Sequence, residues 1–327
     1  MATNNLNHSG LDKLLDQFVS SATETTILQA LVHGRSWAGQ HGVIGVEVES
    51  QDGSYTIPGS DQLFLDSASS GTMTVTSDYG HKFIAAGDGA NSIVDQGPGG
   101  DTLVGGAGAA TLQVTQGNNV LIAGGGANTL MGGAGHDLLI GGGASSLEAG
   151  SGGSTLIGGL PPKHAHADEH EARVNSNGQT WKTVPMDTLM GGSGNDLIGV
   201  YTGDNAIYAG TGVDTIYAGS GSDTIYGSTL PGATNAMDTI YLGRGNTSVQ
   251  GGAAGAATIF AGMHGNDTII GSTNGQTLDL YSKQSSHNVK FTNVSTGGIT
   301  TITFKDHQSL SLENVTIHFS NGGTLKV

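Results

Sequence analysis

An aliphatic residue recurs at a nine-residue interval through most of this chain, two places after the residue that closes a short, usually glycine-rich loop. It falls at Ile93, Leu103, Leu112, Leu121, Leu130, Leu139, Leu147 and Leu156, and after an insertion at Leu189, Ile198, Ile207, Ile216, Ile225, Ile240, Val249, Ile259, Ile269 and Leu278. Most steps are nine residues; the departures are one of eight, three of ten, one of fifteen and one of thirty-three. Val75 and Ile84 extend the register backwards with poorer loops. A repeat of this length restricts the chain to stacked architectures. Nine residues make a short strand and a tight bend, with glycine supplying backbone angles that a side chain forbids. By strand alternation the aliphatic residue points inward and its two neighbours point outward. One turn buries nothing alone, whereas stacked turns bury a continuous aliphatic column and pair each backbone with the layers above and below. With two nonapeptides to a layer, the 18 turns give about nine layers, a rod of roughly 43 Å at ~4.8 Å per layer.

Composition then excludes several classes. The 327 residues include no Cys, so a disulfide framework is impossible. Eleven Lys and Arg against 27 Asp and Glu leave a formal charge of −16. So few bases cannot supply a phosphate-neutralising stripe, and no nucleic-acid partner is expected. No run of about 18 apolar residues occurs, so no transmembrane segment is expected. The 57 Gly and 6 Pro are together roughly 19% of the chain, below the ~25–30% of structureless low-complexity sequences. The opening residues lack a basic region followed by an apolar stretch, which argues against a Sec signal peptide. There is no G-x-S-x-G elbow, no Gly-Lys phosphate loop and no Cys nucleophile, so no catalytic residue is assigned and no enzyme is expected.

The loops carry a more specific signal. Gly191-Gly192-Ser193-Gly194-Asn195-Asp196-Leu197-Ile198-Gly199 spells GGxGxDxUx, and near copies close at Asp137, Asp214 and Asp223. Many such copies stand in register over residues 85–279, and on them the chain resembles the RTX (hemolysin-type calcium-binding) repeat proteins. The resemblance implies an all-β, right-handed parallel β-roll or β-solenoid. It also implies Ca²⁺ between loops two turns apart on one edge, held by Asp carboxylates and loop carbonyls, as suits a hard cation seeking six to eight oxygens. Loops 18 residues apart then pair. Asp196 with Asp214 meets this best, with Gly192, Gly194, Gly210 and Gly212 retained in the two loops. Asn205 with Asp223, whose loop keeps Gly219 and Gly221, comes next, followed by Asp137 with Asn119 and Asp101 with Asn119.

The closing residue departs from Asp at Asn91, Ala110, Asn119, Asn128, Ser146, Ser154, Thr247, Ala257 and Gln276, and Asp187 and Asp238 lie in loops without the glycines. Full calcium sites are therefore expected to be few and clustered between about 191 and 223. Asn can satisfy loop backbone without an ion, as Asn ladders do in stacked sheets, so the first half is expected to need little calcium.

Outside the repeats, Leu11, Leu14, Leu15, Phe18 and Val19 follow a helical stripe over 9–20, and a second short helix is expected over 26–32. Residues 43–84 look like strands, giving a small helical and strand N-terminal cap on the solenoid. Segments within 280–327 alternate like a C-terminal antiparallel β cap. The domain organisation is thus a cap over 1–84, a roll with degenerate loops over 85–159, a His-rich insertion over 160–186, a roll with better calcium loops over 187–279, and a C-terminal cap over 280–327. The insertion contains His166, Glu169 and His170 as H-x-x-E-H. On a helix the two His share a face and could bind a transition metal, though a polar surface excursion explains them equally simply.

Outward positions form two ladders. Thr precedes the aliphatic residue at eleven turns, and Tyr follows it at 208, 217, 226 and 241. Since layers alternate faces, Tyr208 should stack on Tyr226 and Tyr217 on Tyr241. The resemblance implies a secreted, non-enzymatic protein of a Gram-negative bacterium that folds on external Ca²⁺, exported by type I secretion through a segment in 280–327. Its role would be structural, biofilm-matrix or adhesive, with extracellular polysaccharide or a second copy of itself as partner. The alternative is a repeat module accessory to a polysaccharide-acting enzyme.

Overall fold

The computed structural model describes residues 4–6, 27, 44–49, 53–57, 63–66, 70–77, 82–158, 173–174, 180–181, 186–227, 238–251, 258–261, 266–270, 276–280, 289–292, 300–304, 309–313, 315–318 and 324–326. The chain divides into two compact units, Met1–Leu156 with Gly192–Gly194, and Ile157–Gly191 with Asn195–Val327. Both are parallel β-solenoids in which successive strands alternate between two sheets, so that each strand pairs with the one a full coil away. Among the described residues only Ile27 is helical, and no helix is long and apolar enough to cross a membrane.

In the first unit one sheet stacks Leu63–Asp66, Phe83–Ala86, Thr102–Val104, Val120–Ile122 and Leu138–Ile140, bringing Phe64, Ile84, Leu103, Leu121 and Leu139 into one column. The facing sheet aligns Met73, Ile93, Leu112, Leu130 and Leu147. All ten side chains are buried, each contributing on the order of 1.5–3 kcal/mol by leaving water. Met73, not Val75, stands opposite Ile93; Val75 faces Asp95 two residues further along the same strand. Parallel pairing also reaches further back than the glycine-rich loops do. Ile44–Glu49 already pairs in parallel with Leu63–Asp66, and Gly53–Ile57 with Ser70–Ser77. Strands can therefore stack in parallel beyond the GGxG loops, and the loop motif understates the solenoid. Of the two expected helices, 9–20 lies outside the described residues, and of 26–32 only Ile27 is described.

In the second unit the columns are Ile198–Ile216–Ile240–Ile259–Leu278–Ile317 and Leu189–Ile207–Ile225–Val249–Ile269–Leu312. The fifteen-residue step from Ile225 to Ile240 leaves this register intact, because the two residues belong to different sheets and the extra length falls in the bend between them. The C-terminal region is antiparallel only in part. Val289–Thr292, Thr300–Phe304 and Ser309–Glu313 pair antiparallel in turn, as do Val315–His318 and Thr324–Lys326. Ser309–Glu313 and Val315–His318 themselves join Asn266–Ile270 and Gln276–Leu280 in parallel. The closing sheet is therefore grown from the last coil. Within the insertion Arg173–Val174 pairs antiparallel with Thr180–Trp181, and His166, Glu169 and His170 lie outside the described residues.

Candidate metal centre

Each loop-closing residue ends a bend and begins the next strand, so alternation turns its side chain inward, beneath the loop. Asp101, Asn119, Asp137, Asp196, Asn205, Asp214 and Asp223 are all at most 3% exposed. A buried polar side chain needs a partner, and the coil a full turn back provides one. Asp196 N–H donates to Asp214 Oδ1 at 2.7 Å and Asn205 N–H to Asp223 Oδ1 at 3.0 Å. Asp101 N–H donates to Asn119 Oδ1 and Asn119 N–H to Asp137 Oδ1, both at 2.8 Å. The four pairs expected from the 18-residue spacing are therefore all brought together.

The same ladder includes residues that the glycine motif passes over. Asp214 N–H donates to Asp238 Oδ1 at 3.1 Å across 24 residues, Asp187 N–H to Asn205 Oδ1 at 3.0 Å, and Thr247 N–H to Asp267 Oδ1 at 2.9 Å. Position relative to the aliphatic column would have found Asp187, Asp238 and Asp267, since each stands two residues before it. The same rule corrects one assignment: Ser145, not Ser146, closes its loop, standing opposite Asn128. The eight-residue step shortens that bend and moves the closing position by one. A second ladder runs outside this one and in the opposite direction. Asn118 Oδ1 accepts from His136 N–H, Asn195 Oδ1 from Val213 N–H and Asp204 Oδ1 from Ser222 N–H, at 2.7–2.9 Å.

The loop glycines let these bends stack. Gly221 has φ of +128°, and a Cβ there would overlap the Gly203 carbonyl oxygen one coil away. Gly210 and Gly212 also have positive φ, and Gly219 sits against the Tyr201 carbonyl. Gly192 and Gly194 pack on Gly150 and Gly152.

The electrostatics mark buried carboxyls on both edges of the second unit. Asp196, Asp214 and Asp238 follow one another in consecutive coils. Burial pushes the Asp214 carboxyl up to about 7, the Asp196 N–H opposes this, and the charges of Asp238 and Asp196 add to it. On the other edge burial also raises Asp223, with the Asn205 side chain and N–H pulling it back. Burial pushes Asp267 up to about 7 against the Thr247 N–H. Asp214 Oδ2 and Asp223 Oδ2 are buried without a hydrogen-bond partner. An ionised carboxylate in that state costs several kcal/mol unless a cation meets it. The donor set is all oxygen: carboxylates from successive coils and the carbonyls of the bends. Among the described residues no three His, Asp or Glu side chains converge, so loop carbonyls must supply the rest of any coordination shell. A hard cation of flexible geometry fits such a set.

A family model for the RTX calcium-binding nonapeptide repeat matches the chain in four copies, at residues 95–113, 113–145, 186–198 and 201–229. The chain carries the RTX calcium-binding repeat. No curated protein matches it. The RTX copies cover the two consecutive carboxylates Asp196 and Asp214, the Asn205–Asp223 pair and the Asp101–Asn119–Asp137 ladder, and stop short of Asp238 and Asp267. The chain therefore continues its ladder of buried acids beyond the matched segments. Its outward face in the second unit bears the two tyrosine pairs in the alternation expected from the repeat. Tyr208 and Tyr226 stack with centroids 4.8 Å apart and Tyr217 and Tyr241 at 4.5 Å, their planes within 8° and 2° of parallel.

Proposed function

We propose that the chain is a secreted, non-enzymatic calcium-binding protein that completes its fold on external Ca²⁺ and serves outside the cell in a structural, matrix or adhesive role. The observation that carries this is the uninterrupted stack Asp196–Asp214–Asp238 with its orphaned Asp214 Oδ2. Asp214 and one neighbouring carboxylate, Asp196 or Asp238, with the carbonyls of the bend holding Gly210 and Gly212, would hold an ion on this edge. Asp223, with the bend holding Gly219 and Gly221, would do so on the other, and Asp101 and Asp137 in the first unit. When bound, calcium supplies the positive charge that lets these carboxylates remain ionised inside the stack. Without it, a net charge of −16 loosens the stack and lowers its melting temperature. Millimolar calcium outside the cell saturates sites that the cytosol leaves empty, so type I export from a Gram-negative cell would couple folding to arrival.

Circular dichroism with chelator and with Ca²⁺ tests this reading. A large gain of β signal on adding calcium is expected, and a chain equally folded in both defeats it. The alternative, a repeat module accessory to a polysaccharide-acting enzyme, would use the exposed tyrosines. Their stacking spends the ring faces that a sugar would cover, which favours lateral self-association over glycan capture. Light scattering on calcium addition against a glycan pull-down separates the two.

A further inference from the structure

We infer that a carboxamide takes the place of an ion in the bends closed by Asn205 and Asn119, so that calcium uptake is confined to bends closed by a carboxylate. The inference deepens the calcium reading above and rests on it. Asn205 stands between Asp187 and Asp223, and Asn119 between Asp101 and Asp137, one coil to either side. Asn205 Oδ1 accepts the Asp187 N–H. Its Nδ2 donates to Asp223 Oδ1 at 2.9 Å and to the Gly203 and Thr202 carbonyls at 3.1 and 3.3 Å. Asn119 repeats this arrangement: Nδ2 donates to Asp137 Oδ1 at 3.1 Å and to the Gln116 carbonyl at 2.9 Å.

Each amide therefore joins its own bend's carbonyls to the carboxylate of the next coil, a task that otherwise requires positive charge. Asn128 shows that the inner half of this contact belongs to the bend itself. Its neighbours one coil away are Ala110 and Ser145, neither an acid, yet Nδ2 donates to the Gly126 carbonyl at 2.6 Å and to Gly124 at 3.3 Å. Asp214 is the opposite case. It is the same size as Asn and holds the same place in the ladder, between Asp196 and Asp238, but it brings no hydrogen to donate and its Oδ2 is left without a partner. A carboxylate among acceptors needs a cation; an amide among acceptors does not.

The reciprocal isosteric variants Asn205→Asp and Asp214→Asn, made in the full chain, test this with Ca²⁺ itself as the probe. Calcium uptake would be measured by titration calorimetry and flow dialysis, and melting followed in chelator and in millimolar calcium. Asn205→Asp is expected to take up about one more ion per chain than the wild type, to melt lower in chelator, and to recover in calcium. Asp214→Asn is expected to take up about one fewer and to melt higher in chelator. If Asn205→Asp fails to fold in either condition, Asn119→Asp in the other unit carries the same expectation. Unchanged uptake together with unchanged chelator melting in these variants overturns the inference. A wild type that takes up no calcium and melts alike in both conditions refutes the calcium reading instead. The opposite shifts of the two variants in chelator would then still decide whether the amide fills the carboxylate's need.

Discussion

Along one edge of the second unit, carboxylates follow one another at Asp196, Asp214 and Asp238; along the other, Asn205 separates Asp187 from Asp223. The two edges share the same coils and the same ladder of backbone N–H donors. They differ at the central position by one NH₂ group in place of an oxygen. On the amide edge Asn205 meets the next carboxylate and its own bend at once. On the acid edge Asp214 is pushed up to about 7, with both neighbouring carboxylates adding to the effect of burial. A repeat can therefore keep its shape while its chemistry alternates between self-sufficient and ion-demanding bends. The first unit leans the same way as the amide edge, with Asn119 and Asn128 filling their own bends and Ser154 Oγ accepting the Asp137 N–H at 3.1 Å.

The sharpest way to break this contrast is through the aliphatic column that follows the acid edge, Ile198–Ile216–Ile240. Ile216→Ala, at a fully buried position, should cost about 2–5 kcal/mol in chemical denaturation, in chelator and in calcium alike. A loss confined to chelator would mean that edge chemistry, not the column, carries the stack. Next comes Gly221→Ala, which puts a Cβ on the Gly203 carbonyl at a φ of +128°. It should lower stability by about 1–3 kcal/mol, whereas Gly199→Ala, with nothing within 4 Å of its Cβ, should leave the melting temperature nearly unchanged.

Proton linkage sharpens the contrast further. Asp214 and Asp267 rise from 3.8 to about 7 on folding, so between these values the metal-free fold binds more protons than the unfolded chain. Its stability should therefore fall as pH rises from about 4 to 7 and level off above. Urea melts in chelator at pH 5 and pH 8 check this: the acid sample should be the more stable, and calcium should shrink the difference. A chelated chain more stable at pH 8 contradicts the burial of these groups. The smallest effect belongs to the outer ladder. Asn195→Ala removes the exposed acceptor of the Val213 N–H and should cost about 0.5–1.5 kcal/mol, measurable as faster hydrogen exchange at Val213 with little change in calcium uptake.

Much of the fold was legible because the nine-residue period states it directly. Every aliphatic position from Leu103 to Val249 proved buried, and the pairs Asp196–Asp214, Asn205–Asp223 and Asp101–Asn119–Asp137 followed from the two-turn pairing that the RTX resemblance implies. The glycine motif was the poorer guide. It missed Asp238 and Asp187, whose bends lack the motif's glycines, and it placed the start of the stack too late, since Ile44–Glu49 and Gly53–Ile57 already pair in parallel.

From its residues alone, then, the chain specifies a strand every nine positions, an inward aliphatic column and the identity of each buried closing residue, because side-chain alternation and glycine's tolerance of left-handed backbone are local properties. It does not specify what faces each buried oxygen. Asp214 meets Asp238 across 24 residues rather than 18, only because an insertion is absorbed in a bend while the column keeps its register, and Asn205 meets the Asp187 N–H on one side and the Asp223 carboxylate on the other. Hydrogen-bond partners one coil away are set by that register in space. An amide that completes its bend and a carboxylate that lacks a donor can thus follow from the same motif.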